Sequence, residues 1–242
     1  MRYGIFADIH SNLEAFDAVI EAFKLETIDK YLCVGDVVGY AANPKECIEK
    51  VKMLAMITVA GNHDWGSVDL FSIDYFNPIA SEAIFWTKRN LSDEDRYFLE
   101  SLKLIYKNED LTLVHGTLDS PQDFDYMLDS YAASKTFKLM ETQTCFVGHS
   151  HVAGVFIQDK DNHLDYQEEP LFDIKDANKY IVNVGSVGQP RDGNPKAAYC
   201  IYDTDGNCVQ IKRVDYHIET ARKKIIAAGL PRFLADRLLA GR

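Results

Sequence analysis

The reading of the fold turns on Tyr3-Gly4-Ile5-Phe6-Ala7-Asp8-Ile9-His10. An apolar run too short for a helix stops abruptly on a carboxylate and an imidazole. Unalternated runs of this length read as strands buried on both faces, as in an α/β core. The pattern recurs at 31–36, 57–63, 111–115, 145–151 and 181–186, each time an apolar or β-branched run closed by Gly, Asp, Asn, Ser or His. Between the first two runs, Leu13, Phe16, Ile20 and Phe23 are spaced for one helix face, with Ser11 or Asn12 as the cap. Further helices are predicted after Pro44 over 46–53 and over 78–89, 92–102 and 129–141, with Ser92 and Asp95 spaced as a capping box. From Gly154 the reading shifts to strands at 155–158, 180–184, 198–202 and 209–214, with turns at 159–162 and 203–207. An α/β first half and a β-richer second half predict two sheets packed together with helices outside.

The chain has 242 residues, 47% apolar and 26% charged, enough to bury a full core without staples. A single domain over 1–242 is expected. The formal charge of −11 disfavours an electrostatic grip on extended nucleic acid or on an anionic membrane. No apolar run approaches the roughly 20 residues that span a bilayer, and the first residues lack a signal h-region. The expected location is cytoplasmic. Five scattered cysteines with no C-x-x-C pair argue against a disulfide framework or a zinc ribbon, and Cys33 and Cys145 read as core. The segment 219–242 departs from the rest: its net charge is +4, leaving −15 for the remainder, and Gly229 and Pro231 split it into two short helices. It is predicted to dock on the body. The aromatics at 71–75 and this basic tail are the candidate surfaces for a homo-oligomer.

Five of the seven histidines, His10, His63, His115, His149 and His151, fall at predicted strand ends, beside Asp8, Asp36, Asn62 and Asp64. In open α/β sheets ligands sit outside the carboxyl ends of the strands. One histidine there is usually structural. So many polar groups at one edge need a shared partner, and a divalent metal is the economical one. Imidazole, carboxylate and amide oxygen suit Mn, Fe or Zn, and the lack of thiolate argues against copper.

Asp8-Ile9-His10, Gly35-Asp36, Gly61-Asn62-His63-Asp64, His115-Gly116 and Gly148-His149-Ser150-His151 resemble, in order, the five motifs of the calcineurin-like metallophosphoesterase family. The resemblance implies an α/β fold, a four-layer α/β/β/α sandwich of two mixed sheets flanked by helices. It implies two divalent or trivalent metal ions, one held by Asp8, His10 and His151, the other by Asn62, His115 and His149, with Asp36 between them. It makes His63 a catalytic proton donor or charge stabiliser at the leaving group, with Asp64 orienting it, and brings Asn62 and His63 to the substrate. The implied activity is hydrolysis of a small phosphodiester, nucleotide or phosphomonoester by a hydroxide bridging two ions. Dinucleoside polyphosphates are one such substrate, and a non-catalytic metal-binding scaffold of the same fold is the alternative. The protein Ser/Thr phosphatase branch has an arginine soon after the bridging aspartate, and 37–44 contains none.

Other segments lie where they could shape a substrate pocket. In 183–193, Gly185, Ser186 and Gly188 could offer backbone amides, and Arg191 a guanidinium fork, to phosphate oxygens. A similar loop in small phosphodiesterases of this family favours substrate contact; the other reading is a turn in which Arg191 pairs with Asp192 or another carboxylate. Residues 71–76 and 124–131 read as lid segments or as ordinary core, and Trp65 and Trp86 as packing residues.

Overall fold

The computed structural model describes residues 1–54 and 57–242. Among these, the strands are β1 (Arg2–Phe6), β2 (Lys30–Cys33), β3 (Ile57–Thr58), β4 (Ile105–Lys107), β5 (Leu111–Val114), β6 (Thr144–Val147), β7 (Gly154–Gln158), β8 (Leu164–Gln167), β9 (Leu171–Asp173), β10 (Lys179–Asn183), β11 (Ala197–Asp203) and β12 (Cys208–Val214). The helices are α1 (Leu13–Lys24), α2 (Pro44–Met53), α3 (Asn62–Gly66), α4 (Pro78–Asn90), α5 (Asp93–Ser101), α6 (Ser130–Leu139), α7 (Ile218–Ala227) and α8 (Arg232–Asp236).

The strands form two six-stranded mixed sheets, in the orders β3-β2-β1-β11-β12-β9 and β4-β5-β6-β10-β7-β8. In the first, β1 pairs parallel with β2 and antiparallel with β11. In the second, β6 lies parallel to both β5 and β10. Each sheet therefore draws on both the α/β first half and the β-richer second half of the chain. The reason is long-range pairing: β1 finds β11 across nearly the whole sequence.

The unalternated apolar runs are explained by burial on both faces. Tyr3, Ile5, Leu32 and Val34 point between the sheets and meet Leu111, Leu113, Phe146 and Val182 there. Phe6 and Cys33 point the other way, against Phe16, Val19 and Phe23 of α1 and Ile48 of α2. On the far side, Cys145, Val147 and Ile181 pack on Ala133 and Phe137 of α6. Helix, sheet, sheet and helix make the four layers expected.

The local signals behave as read. Asn12 caps α1 by accepting from Ala15 N at 3.2 Å. Ser92 and Asp95 form the capping box of α5. The short strands β4, β8 and β9 were not predicted: their residues are largely polar or half-exposed, so they carry no burial pattern. The tail docks through Ala221, Ile225, Leu234 and Leu238 onto Tyr40, Ala80 and Ala83. Trp86 Nε1 donates to Ala228 O at 3.0 Å and ties α4 to it. Much of its charge is paired, Arg222 with Glu219 and Asp236, and Lys224 with Glu14. Among the described residues no helix is long and apolar enough to cross a membrane.

Candidate metal centre and active site

The histidines and carboxylates converge because β1, β2 and β3 run parallel in one sheet, β5 and β6 in the other, and all five end at the same edge. Asp8 follows β1, Asp36 follows β2, Asn62 and His63 open α3 after β3, His115 follows β5, and His149 and His151 follow β6. Five of these residues are in the left-handed region: Asp8 at φ 56°, His10 at 48°, Asp36 at 55°, His149 at 65° and His151 at 61°. Such conformations cost on the order of 1–3 kcal/mol per non-glycine residue and persist only where surrounding contacts enforce them.

The ring tautomers can be read from their partners. His10 Nδ1 donates to Val38 O at 3.1 Å, His115 Nδ1 to Val34 O at 2.7 Å and His151 Nδ1 to Gln189 O at 2.6 Å. A carbonyl only accepts, so each of these Nδ1 atoms carries a proton and each Nε2 points inward, as a lone pair in the neutral rings of His10 and His151. Asp8 Oδ2 accepts from His149 N at 3.1 Å, while Asp8 Oδ1 has no hydrogen-bond partner and lies 3.2 Å from His151 Nε2 and 3.6 Å from His10 Nε2. Asp36 Oδ1 accepts from His63 N at 2.9 Å, and its unpartnered Oδ2 lies 3.5 Å from His10 Nε2 and 3.3 Å from His115 Nε2. Asn62 Oδ1 and His115 Nε2 are likewise buried and unpartnered.

Buried polar atoms left without partners are rare because each loses its hydration uncompensated. Here four of them, with two further imidazole nitrogens, share one cavity. Asp8, His10 and His151 are close enough to hold one cation, and so are Asp36, His115 and His149. Two carboxylates and otherwise neutral donors fit divalent metal.

The electrostatics match a cluster built around positive charge. Burial pushes His10 down to about 3 and carries His149 and His151 well below the usual imidazole range. Burial also acts against charge on His115, but Asp36 and Asp8 outweigh it and hold this ring up at about 9. Asp36 is buried too, yet His115 and His63 keep its carboxylate well below its ordinary value.

His63 presents its ring to the same cavity, edge-on to His10 at 4.8 Å and against Tyr40 and Phe76. Burial pushes it down to about 4, so it is neutral at pH 7. A Cβ on Gly39 would stand 2.6 Å from His63 Nδ1, and Gly39 has φ +107°, so only glycine fits beside this ring.

Two expectations need correction. Asp64 does not orient the His63 ring. Its carboxylate accepts three backbone amides, from Asp36 at 2.8 Å, Val38 at 3.1 Å and Gly61 at 3.0 Å, while His63 Nδ1 has no partner. It fixes the Asp36 loop to the start of α3, which forces the carboxylate away from the imidazole. Burial and the nearby Asp36 charge push Asp64 up to about 7. Nor does the glycine-containing loop offer its amides to a ligand. Val187 N donates to Ala7 O, Gly188 N to Asp8 O and Arg191 N to His151 O, while Gln189 N donates to Ser186 Oγ. Ser186 Oγ donates in turn to Asp8 O. The loop clamps the backbone of the metal-facing residues.

The Arg191 side chain does reach the pocket. It does not pair with Asp192, whose carboxylate is taken by Arg213. One terminal nitrogen donates to Tyr40 Oη at 3.3 Å and Gln189 Oε1 at 3.1 Å, and the guanidinium lies 5.7 Å from the centre of the Tyr40 ring. The pocket over the cluster has a volume of about 220 Å³. Its floor is Asp36, Asn62, His63, His149 and His151, and its walls include Phe71, Phe76, Asn77, Phe124, Tyr126 and Arg191. Both segments read as lids or core thus furnish wall. Tyr40, Asn77 and Tyr126 carry no motif and were not singled out, although Tyr126 stacks on His149 at 3.9 Å.

Residues 1–207 match the calcineurin-like phosphoesterase superfamily domain, and the chain belongs to that family. It is 40% identical to the uncharacterized protein MJ0912 of Methanocaldococcus jannaschii, over 98% of this chain and 97% of that protein. Among solved structures, a metallophosphoesterase from Sphaerobacter thermophilus is 38% identical with a TM-score of 0.88, covering 100% of this chain and 99% of that one. The hypothetical protein PH1004 of Pyrococcus horikoshii shares the fold at 21% identity and a TM-score of 0.80, over 100% and 98% of the two chains. Membership implies phosphoester hydrolase activity that depends on divalent metal.

Proposed function

We propose that this protein is a dinuclear-metal phosphoesterase acting on a small phosphodiester, nucleotide or phosphomonoester. The observation that carries this reading is the position of Asp36 Oδ2, unpartnered and within 3.5 Å of both His10 Nε2 and His115 Nε2. One carboxylate oxygen reached from both sides is what two neighbouring ions require. Asp8, His10 and His151 would hold one ion and Asn62, His115 and His149 the other, with Asp36 shared and Mn, Fe or Zn as candidates. Two such ions supply Lewis-acid polarisation of a phosphoryl oxygen and a water acidic enough to attack at neutral pH.

The chain's own groups do the rest. The Nδ1 bonds of His10, His115 and His151 hold their Nε2 atoms on target without rearrangement, and His115 would give up its Nε2 proton to a cation. His63, neutral at pH 7, gives the leaving oxygen a hydrogen bond from its ring N–H. Arg191 offers free N–H groups to a phosphate oxygen from the opposite wall. The pocket's small volume favours a small ester, including one end of a dinucleoside polyphosphate, and disfavours a folded protein or duplex.

The test is hydrolysis of bis(p-nitrophenyl) phosphate and p-nitrophenyl phosphate by chelator-treated protein before and after Mn²⁺ addition. Metal-dependent turnover of either ester is expected. No turnover with two equivalents of metal bound would overturn the enzyme reading in favour of a scaffold.

A further inference from the structure

Next to the metal-facing pocket lies a second groove of about 520 Å³, lined by Tyr40, Asn77, Tyr126, Phe233, Arg191 and Arg237. The two spaces are continuous, since Tyr40, Asn77, Tyr126 and Arg191 line both. Arg237 comes from the turn after α8, so the C-terminal segment supplies one wall.

The two arginines are unusual in an acidic protein. Among the described residues neither has a side-chain carboxylate partner, whereas Arg222, Lys224 and Arg232 of the tail do. Arg191 Nε is buried and unpartnered, and its terminal nitrogen bonds only neutral oxygens of Tyr40 and Gln189. Arg237 Nε donates to the main-chain oxygen of Arg242, and its guanidinium rests over the Phe233 ring with its terminal nitrogens facing no side-chain carboxylate. The two positive charges feel each other: burial and repulsion from Arg191 pull Arg237 down to about 10. Like charges held together with no side-chain carboxylate between them favour an anion that joins them. The acidic side chains of this region, Asp123 and Asp125, line the metal-facing pocket and not the groove, so the two walls differ in sign.

We infer that Arg191 and Arg237 form a distal anion subsite, and that the substrate carries a second phosphoryl group beyond the phosphoester that is hydrolysed. This deepens the phosphoesterase reading and rests on it. Guanidinium forks match phosphate oxygens two at a time, and Arg191, at the junction, can reach either phosphate. Tyr126, exposed and lining both spaces, offers its outer face to the connecting part of the substrate, which makes a planar ring a suitable linker. The class is a bisphosphate or a nucleotide with a second phosphate. Arg237 is thus a specificity residue, and the tail a part of the pocket.

The experiment uses the Mn-loaded full chain and two readouts. Calorimetry compares thymidine 3′,5′-bisphosphate with thymidine 5′-monophosphate, which differ by one phosphate. The bisphosphate is expected to bind at least roughly tenfold tighter, the value of one or two charge-assisted hydrogen bonds. Arg237→Gln should bring that ratio close to one. Arg232→Gln, an equal charge change at an exposed tail residue paired with Asp236, should preserve it. Kinetics then compare the p-nitrophenyl ester of thymidine 5′-phosphate with and without a 3′-phosphate, and KM should follow the same ratios. Equal affinities in the unaltered protein, or a ratio unchanged in Arg237→Gln, overturn the subsite. Tighter bisphosphate binding with no turnover of any ester keeps the subsite and sinks the phosphoesterase reading; turnover with equal affinities does the reverse.

Discussion

His10 and His151 face each other Nε2 to Nε2 at 3.0 Å, while each donates its Nδ1 proton to a backbone carbonyl, Val38 O and Gln189 O respectively. Neither ring then has a hydrogen to give the other, so two lone pairs meet inside a buried cavity beside the Asp8 carboxylate. A cation resolves that arrangement. Mn²⁺ at a hundredfold excess over its dissociation constant should stabilise the fold by about 2.7 kcal/mol. For a chain of this size that raises the thermal midpoint by roughly 5–10 °C. Differential scanning calorimetry before and after chelation measures it, and a midpoint indifferent to metal would remove the cluster from the list of metal sites.

Asp36→Asn keeps an oxygen for His63 N but loses the charge shared between His10 and His115. The folded variant is expected to bind fewer equivalents of metal and to show no measurable turnover. Metal analysis of the purified variant, paired with the chromogenic assay, checks both. Wild-type rates in a folded Asp36→Asn protein would end the two-ion scheme.

His63 and Asp64 are adjacent in sequence and opposite in expected effect. His63→Gln should lower kcat by about 10²–10³, the usual loss when a donor preorganised toward developing charge is displaced, with metal content intact. Asp64→Ala removes three buried bonds to backbone amides and should cost on the order of 3 kcal/mol or more of stability, along with metal retention. Unfolding curves separate the two. An Asp64→Ala protein with full stability and only a slower kcat would restore the orienting role to its carboxylate.

Tyr3 is buried and its hydroxyl donates to Asp110 Oδ2 at 2.5 Å. Burial and that bond push the phenol up to about 12, above the value of about 10 in an unfolded chain. The native state therefore holds the proton more tightly than the unfolded state. The stability this contributes is complete below pH 10 and is lost as pH rises toward 12, on the order of 2 kcal/mol. Tyr3→Phe should flatten the alkaline limb of denaturant unfolding between those values; an unchanged limb would show that another group governs it.

What the sequence exposed and what it hid differ by physical cause. Strands such as β5 and β6 were legible because every residue in them is buried, leaving a run of apolar and β-branched residues. Sheet membership was not, because β1 pairs with β11 through contacts about two hundred residues apart, which no local pattern encodes. At the site, residue type and strand-end position were enough to gather Asp8, His10, Asp36, Asn62, His115, His149 and His151. The use of Asp64 was hidden, since adjacency to His63 suggests a partnership that the turn into α3 prevents. The left-handed backbone at Asp8 and Asp36 was hidden too, because nothing in an aspartate advertises φ > 0. Likewise the amides of Gly185, Val187, Gly188, Gln189 and Arg191 look free in sequence and are committed in three dimensions.

The clamp that Ser186 and Gly188 place on Asp8 has a bearing on how the molecule comes into being. Four of the seven metal-facing residues leave the ribosome within the first 62 positions, yet the hydroxyl that holds Asp8 O arrives 178 residues after it. Until β10, the loop after it and β11 have joined β6 and β1, the backbone at Asp8 is held only through its amide hydrogen bond to Gly35 O, and its carbonyl lacks the Gly188 amide and the Ser186 hydroxyl. A nascent chain thus carries the donors before their cavity exists, and the cavity takes shape only once β10 and β11 are made. Ion capture is then a maturation step, governed by whichever ion the surroundings supply when the last strands close.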